Sequence, residues 1–445
     1  MILENHITSD HLLGTTFRYP YFNDDDIYRS FGGWDRIEKI WHDIGERANI
    51  EDSLSKLIEI GSNIEVHVDE KDAKNILDIF MGDESEDGQY RLLISDFLAV
   101  YFSNSESESY IVFINAGIVD LVLKFFPRYN IPSFLEPLLE KSVDFCVSLI
   151  DGSFLYQIMH AIKHFPSEIG QIFYIIASIS QHDLCSADFS MFIDPIIRKL
   201  LGEFEEMTCR SGIKALASIS YHSIMESEKI LQHPLFDSLF FLVEKYSGYR
   251  ILIDEFILLL GSIISHTSLV SRNVLFNIMR MLEGFLIDND VIYIHNIIEA
   301  VFNGSHNNMY FLQCCIDSQL LAKFFECFSE ELKASDKIFL FNALCDLFSI
   351  SDYDQAKIMI SFGFSQLIDT YIDIGIADIE EPLLAALTAY WLHAINNCDE
   401  SMIYFIINNE NILDSIGYVI NTSKSNNTVS SAQLLKDSIL NHSLQ

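Results

Sequence analysis

Basic residues are scarce in this chain. It carries 28 Lys and Arg against 64 Asp and Glu, a formal net charge of −36 over 445 residues. A surface of that sign repels DNA, RNA and anionic membranes, so no nucleic-acid or membrane partner is expected. The same field attracts basic protein segments. Long apolar runs are also missing. The longest uncharged stretches, 256–271 and 382–398, fall short of a membrane span and carry Ser, His or Asn at helical intervals. They read as buried helices. Residues 1–20 lack the basic start and apolar run of a secretory leader. None of the 8 cysteines forms a Cys-x-x-Cys pair, and most sit among apolar residues, as Cys345 does in 342–348. A free cysteine there is a small buried hydrophobe, which fits a reducing compartment. The expected location is the cytoplasm, with the nucleus as a second compartment.

The signatures of catalysis are absent too. There is no P-loop, no Gly-x-Ser-x-Gly elbow, no His-Glu-x-x-His, no EF-hand spacing and no dinucleotide fingerprint. His160 and His164 are four apart and share a helix face, but the sequence indicates no third ligand, and the pair reads as surface. The acidic pairs Glu205-Glu206, Glu330-Glu331 and Glu380-Glu381 read as solvated turns, because neighbours on a helix point about 100° apart. No catalytic residue, metal or cofactor is assigned, and the chain is not expected to be an enzyme.

What the sequence does contain is a repeating stripe. After Gly117 come Ile118, Leu121, Val122 and Phe125, an apolar face on a helix. A glycine between two helical segments suits a sharp turn. The same spacing recurs at Ile197-Leu200-Leu201-Phe204, Phe236-Leu239-Phe240-Val243, Leu275-Ile278-Met279-Leu282, Leu321-Phe324-Phe325-Phe328 and Phe364-Leu367-Ile368-Tyr371. Leu155 and Leu413 begin two further copies, and a weaker one runs through Ala73, Ile76, Leu77 and Phe80. The mean step of about 42 residues lies in the range of helical solenoid repeats.

A second series follows the same period. Near the end of the last helix in each unit stands a small polar residue: Ser103, Asp151, Ser180, Ser220, Ser265, Asn303, Ser349 and Asn396. Such residues either line one face as a ladder or simply end helices and make turns. Residues 132–150 read as one helix that leaves no room for a short first helix, so that unit looks two-helical, whereas the unit at 113 looks three-helical. Residues 1–33 are irregular and aromatic, with Phe17, Tyr19, Tyr21, Phe22, Tyr28 and Phe31 around three aspartates. They read as a cap on the first helices or as a docking motif.

Gly117 with its flanks, and the helix endings around Asn303 and Asn396, resemble armadillo repeats of the armadillo/HEAT superfamily. The resemblance is one of pattern and spans roughly 50–420. It implies an all-α, right-handed superhelix of about eight to nine units, whose third helices line a concave groove. In that family an asparagine near this position grips the backbone of an extended peptide. Importin alpha, the member that an acidic groove brings to mind, has a tryptophan four residues before that asparagine. Glu299 and Leu392 occupy those positions here, and Trp391 stands one residue away.

The expected organisation is an aromatic N-terminal segment with a capping helix over 1–50, the repeat solenoid over 51–420 and a polar flexible tail over 421–445, with a short helix at 432–440. The expected function is a non-catalytic scaffold that binds an extended, basic protein segment. Its contacts would be Asn303, Asn396, Ser180, Ser220, Ser265 and Ser349, with Trp391 as an apolar neighbour. An importin-alpha-like transport adaptor and a regulatory subunit of an enzyme complex are the alternatives.

Overall fold

Gly117 turns the chain where the sequence places the turn. Its φ is 100°, in the left-handed region, and it ends the helix Ile111–Ala116 and starts Ile118–Phe125. Its amide donates to the Ile114 carbonyl at 3.1 Å. The computed structural model describes residues 34–443 except 64–65, 86, 106–109, 152, 183–186, 203–204, 222, 247, 267–270, 288–292, 306–309, 329–331, 373–376 and 424. The aromatic N-terminal segment therefore lies outside the described residues.

The same corner precedes the second short helix in three more repeats. Gly363 has φ 109°, Ser153 φ 68° and Gln319 φ 69°. Each donates its amide three residues back, to Ile360, Ile150 and Ile316 respectively, at 2.9–3.0 Å. The two side-chain-bearing residues hold a conformation that costs an L residue about 1–2 kcal/mol. Neither side chain caps the helix it opens. Ser153→Gly and Gln319→Gly should each stabilise by about 0.5–1 kcal/mol, less the added freedom of the unfolded chain. Urea titration checks this, and a loss of stability in both would mean that the serine and glutamine do more than turn the chain.

Every regular element among the described residues is helical. The chain divides into two units, Met1–Ile175 and Ile176–Gln445, with the boundary inside the helix Ile169–Ser180. In the first unit the inner helices Ile50–Gly61, Gln89–Asn104 and Ile131–Lys141 pack in series. In the second, Glu206–Tyr221, Arg250–His266, Ile294–Ser305, Ala334–Ser349 and Ala377–Asn396 do the same. Two shorter helices lead into most of them, as Phe311–Asp317 and Leu320–Cys327 lead into Ala334–Ser349. This is an armadillo-type α-solenoid pattern. Its core is the repeating stripe: Ile118, Leu121, Val122, Ile197, Leu239, Ile278, Phe324 and Ile368 are all at most 1% exposed.

The structure corrects several sequence expectations. Residues 132–150 are not one helix. The backbone breaks at Ser142 (φ −134°, ψ 102°), between Ile131–Lys141 and Val143–Asp151. The Ser142 hydroxyl accepts the Phe145 amide at 3.2 Å and so caps the second piece. The unit is three-helical, and Asp151 ends a short first helix rather than an inner one. Two stripes are out of phase by one residue: the buried positions are Phe154, Ile158 and Ile162 rather than Leu155, and Ile412, Ile416 and Val419 rather than Leu413. Conversely, Arg272–Ile287 is one continuous helix where other repeats have two.

The C-terminal residues are no flexible tail. Asn426–Ser443 is an 18-residue helix that packs on Glu410–Thr422 and Ala377–Asn396. It buries Thr428, Ala432, Leu435 and Ile439 on one face. With Glu400–Ile407 and Glu410–Thr422 before it, it is the long helix of a further repeat.

Polar bonds tie neighbouring repeats together. Asn104 donates to the Gly61 carbonyl at 2.8 Å, and the Lys141 ammonium donates to the carbonyls of Phe102 and, at 2.9 Å, Ser105. A cation at the C-terminus of Gln89–Asn104 also complements the partial negative charge there. In the second unit Asp399 accepts from Lys357 Nζ and Tyr353 OH, both at 2.8 Å, and from the amides of Ser401 and Met402 at 3.0 and 3.2 Å. The Lys357 ammonium, with the Ser401 hydroxyl next, holds the Asp399 carboxyl well below the usual aspartate range. A depressed folded-state value gives stability that is present above the unfolded value of about 3.9 and is lost as pH falls below it. Asp399→Ala should cost about 2–3 kcal/mol at neutral pH, mostly from the lost cap and hydrogen bonds. The Lys357 ion pair is counted low, because that side chain is 40% exposed. The acid limb of a stability–pH curve should flatten in this variant, and an unchanged limb would sink the assignment.

Candidate functional site

From Ser180 onward the rungs of the polar ladder lie at the ends of inner helices in the second unit, and most of them are occupied locally. The hydroxyls of Ser180, Ser220, Ser265 and Ser349 donate to the carbonyls of Ala177, Ala217, Ser262 and Asp346, three residues back, at 3.3, 2.9, 2.9 and 2.7 Å. This is the competition of short polar side chains for nearby backbone. Ser180 and Ser220 are also buried, at 3% and 0% exposed, so they are closed to a peptide. Asn396 is exposed at the last residue of Ala377–Asn396. Asn303 lies in Ile294–Ser305, and its side chain falls outside the described residues.

Trp391 is no open apolar surface. It is 2% exposed, its Nε1–H donates to Ser438 Oγ at 2.9 Å, and the His442 ring stands edge-on at 5.5 Å. The C-terminal helix covers it, which is why a reading that left 421–445 flexible placed it on the outside. His393, two residues on, also has a partner within the chain: its Nε2 lies 3.0 Å from the Ser351 carbonyl.

A different set of positions is half-open. On Glu206–Tyr221 these include Lys214 and Ser218, on Arg250–His266 Leu258 and Ser262, and on Ala334–Ser349 Asn342 and Asp346. Glu299 occupies the matching place on Ile294–Ser305, and Thr388 with exposed Leu392 on Ala377–Asn396. Residues four apart share a helix face, so successive inner helices present one face of mixed carboxylate, amide and apolar character. The signal that finds this face is the i, i+4 pair one turn before the ladder. Sequence reasoning reached it at Glu299 and Leu392 but read them only as missing tryptophans.

A buried carboxylate lies beneath this face, and Asp254, four residues before Leu258, extends the face itself. Glu255 is 2% exposed between Glu206–Tyr221 and Arg250–His266, with Arg210 Nε at 3.6 Å. Burial raises its pKa, against the pull of Lys214 and Arg210. Asp254 beside it is raised by burial as well and accepts from Asn296 at 3.4 Å. These groups join adjacent inner helices through charge as well as packing.

Among the described residues no group of three or more His, Cys, Asp or Glu could hold a metal ion, and no single helix is long and apolar enough to cross a membrane. An open cleft of about 360 Å³ in the first unit is lined by Glu38, His42, Glu46, Lys71 and Asp72, with Trp41 at its wall. Its polar rim carries no nucleophile next to a base.

No protein-family profile matches the chain, and no curated protein matches its sequence. Solved structures do. The crystal structure of an engineered protein from a structural genomics consortium superposes with a TM-score of 0.66 at 13% identity, covering 94% of this chain and 99% of that one. A designed armadillo repeat protein gives a TM-score of 0.46 at 14% identity, over 56% of this chain and 99% of its own. At such identities the likeness speaks to fold alone. The three-helix repeats and serially packed inner helices described above give each unit an α-solenoid fold of armadillo-like repeats.

Proposed function

We propose that this chain is a non-catalytic scaffold that holds an extended, basic protein segment along the inner helices of its second unit. The observation that carries the reading is the half-open face itself, repeated from helix to helix with Glu299, Asn342 and Asp346 upon it. With the Asn342 Oδ1 buried, it is the amide NH2 of this side chain that suits a peptide carbonyl. The carboxylates suit Lys or Arg side chains, and a net charge of −36 favours their approach. Such a partner fits a cytoplasmic or nuclear setting. Asn396, exposed at the end of its helix, remains the rung of the ladder best placed to contribute.

Titration of a labelled, extended Lys/Arg-rich peptide by fluorescence anisotropy tests this. Asn342→Ala should weaken binding by about 1–3 kcal/mol with the salt dependence kept, since a neutral hydrogen bond is lost. Asp346→Asn should mainly slow association and flatten the salt dependence. Wild-type binding in Asn342→Ala, Asp346→Asn and Glu299→Gln together would overturn the site. Absence of peptide binding by the parent chain would overturn the scaffold's charge preference.

A further inference from the structure

Two rings that a peptide scaffold does not use stand side by side in the first unit. His160 and His164 lie in the helix Phe154–His164, with ring centroids 4.3 Å apart and planes inclined by 35°. Both are exposed, and Tyr156, one turn before them, is 73% exposed, so this helix face is open. Residues at i and i+4 project in the same direction. His164 is the last residue of its helix, where unpaired carbonyls carry a partial negative charge that favours a cation.

Metal-bound imidazole nitrogens sit at about 2.0–2.1 Å from the ion, so two of them on one ion stand about 3 Å apart. Each ring centroid lies about 1 Å behind its donor nitrogen, so two imidazoles on one ion have centroids about 4.5–5 Å apart, close to the 4.3 Å between these rings. Imidazole suits copper, nickel and zinc, whereas magnesium and calcium take oxygen ligands. Among the described residues no further His, Cys, Asp or Glu completes a three-ligand group. The remaining coordination positions therefore belong to water or to a donor from a second molecule. We propose that His160 and His164 form an open two-ligand site for a divalent transition-metal ion, with copper(II) bound most tightly, as the general order of divalent affinities requires.

The test is titration of the full chain with copper(II), zinc and magnesium by calorimetry, with paramagnetic resonance of the copper form. One copper(II) equivalent should bind with two nitrogen ligands, zinc should bind the same site more weakly, and magnesium should not compete. His160→Gln and His164→Gln, both at exposed helical positions, should each lower copper affinity at least tenfold while circular dichroism stays unchanged. Parent-like affinity in both variants would place the ion on other side chains and overturn the site. Displacement of copper by magnesium would reduce the binding to general attraction by an acidic surface, and would overturn it equally.

Discussion

Gly88→Ala should destabilise the first unit by about 2–5 kcal/mol. Gly88 has φ 59°, so any side chain there costs about 1–2 kcal/mol in backbone strain. The larger cost is steric. A Cβ on Gly88 would lie 2.4 Å from Tyr129 Cε1 and 2.8 Å from Cδ1, and the ring is not free to leave. Its hydroxyl accepts from Arg91 Nη1 at 3.0 Å, and its face lies 4.8 Å from the Arg91 guanidinium. Phe80 and Phe125 pack edge-on against it, with centroids at 6.3 and 5.9 Å. Arg91 is fixed in turn, since its Nε donates to the Phe80 carbonyl at 3.0 Å. Overpacking of such a cluster costs about 1–3 kcal/mol beyond the strain. The check is a double-mutant cycle in urea with Tyr129→Ala, because neighbours that share a contact do not add. Gly88→Ala should cost much less in the Tyr129→Ala background. Equal costs in both backgrounds would show that the ring is not what the methyl group meets.

Phe348→Ala should cost about 3–5 kcal/mol, the usual range for removing a buried aromatic. Phe348 is fully buried and lies at a junction. It stacks on Phe364 at 4.4 Å and on Tyr390 at 5.5 Å, and the His393 ring stands edge-on at 6.4 Å. Those partners belong to the next repeat, so the loss is one of interface between neighbours. In a repeat array the interface term decides whether a unit stays docked on the one before it. Amide exchange should therefore quicken first in the helices from Tyr353 to Ser443, with Glu206–Tyr221 affected least. Uniform acceleration across the second unit would mean that its repeats open together.

The apolar stripes told most of this fold. A residue such as Leu121 or Phe324 is buried because its own helix and the adjoining repeat both need an apolar face there, and spacing alone reports that need. The break at Ser142 was not readable in the same way. Apolar residues continue through 138–150, and what ends the helix is one extended residue whose hydroxyl caps the next piece. The C-terminal helix was hidden by its composition. Its exposed face carries the Ser and Asn of a polar segment, and its buried stripe is short: Thr428, Ala432, Leu435 and Ile439. Missing that helix also misplaced Trp391, since a side chain covered by a residue 47 positions later gives no local sign of it. The serine rungs were misread for the opposite reason. Each of these hydroxyls returns to its own helix, but the residues recur with the repeat and so resemble a surface built for a ligand.

The direction of the bonds between repeats has a bearing on synthesis. Asn104 donates back to Gly61, Lys141 to Ser105 and Gln157 to Leu123, and Asn409 donates back to Asp369. In these four the earlier repeat holds the acceptor and the later one brings the hydrogen, whereas at Asp399 and Asp317 the donors Tyr353, Lys357 and Arg272 come from the earlier repeat. At those four contacts a repeat that has left the ribosome before its successor presents acceptor oxygens to water, and an under-satisfied carbonyl is tolerated better than an orphaned amide hydrogen. At these contacts a new repeat, arriving at the pace of translation, brings its donors to acceptors that are already in place.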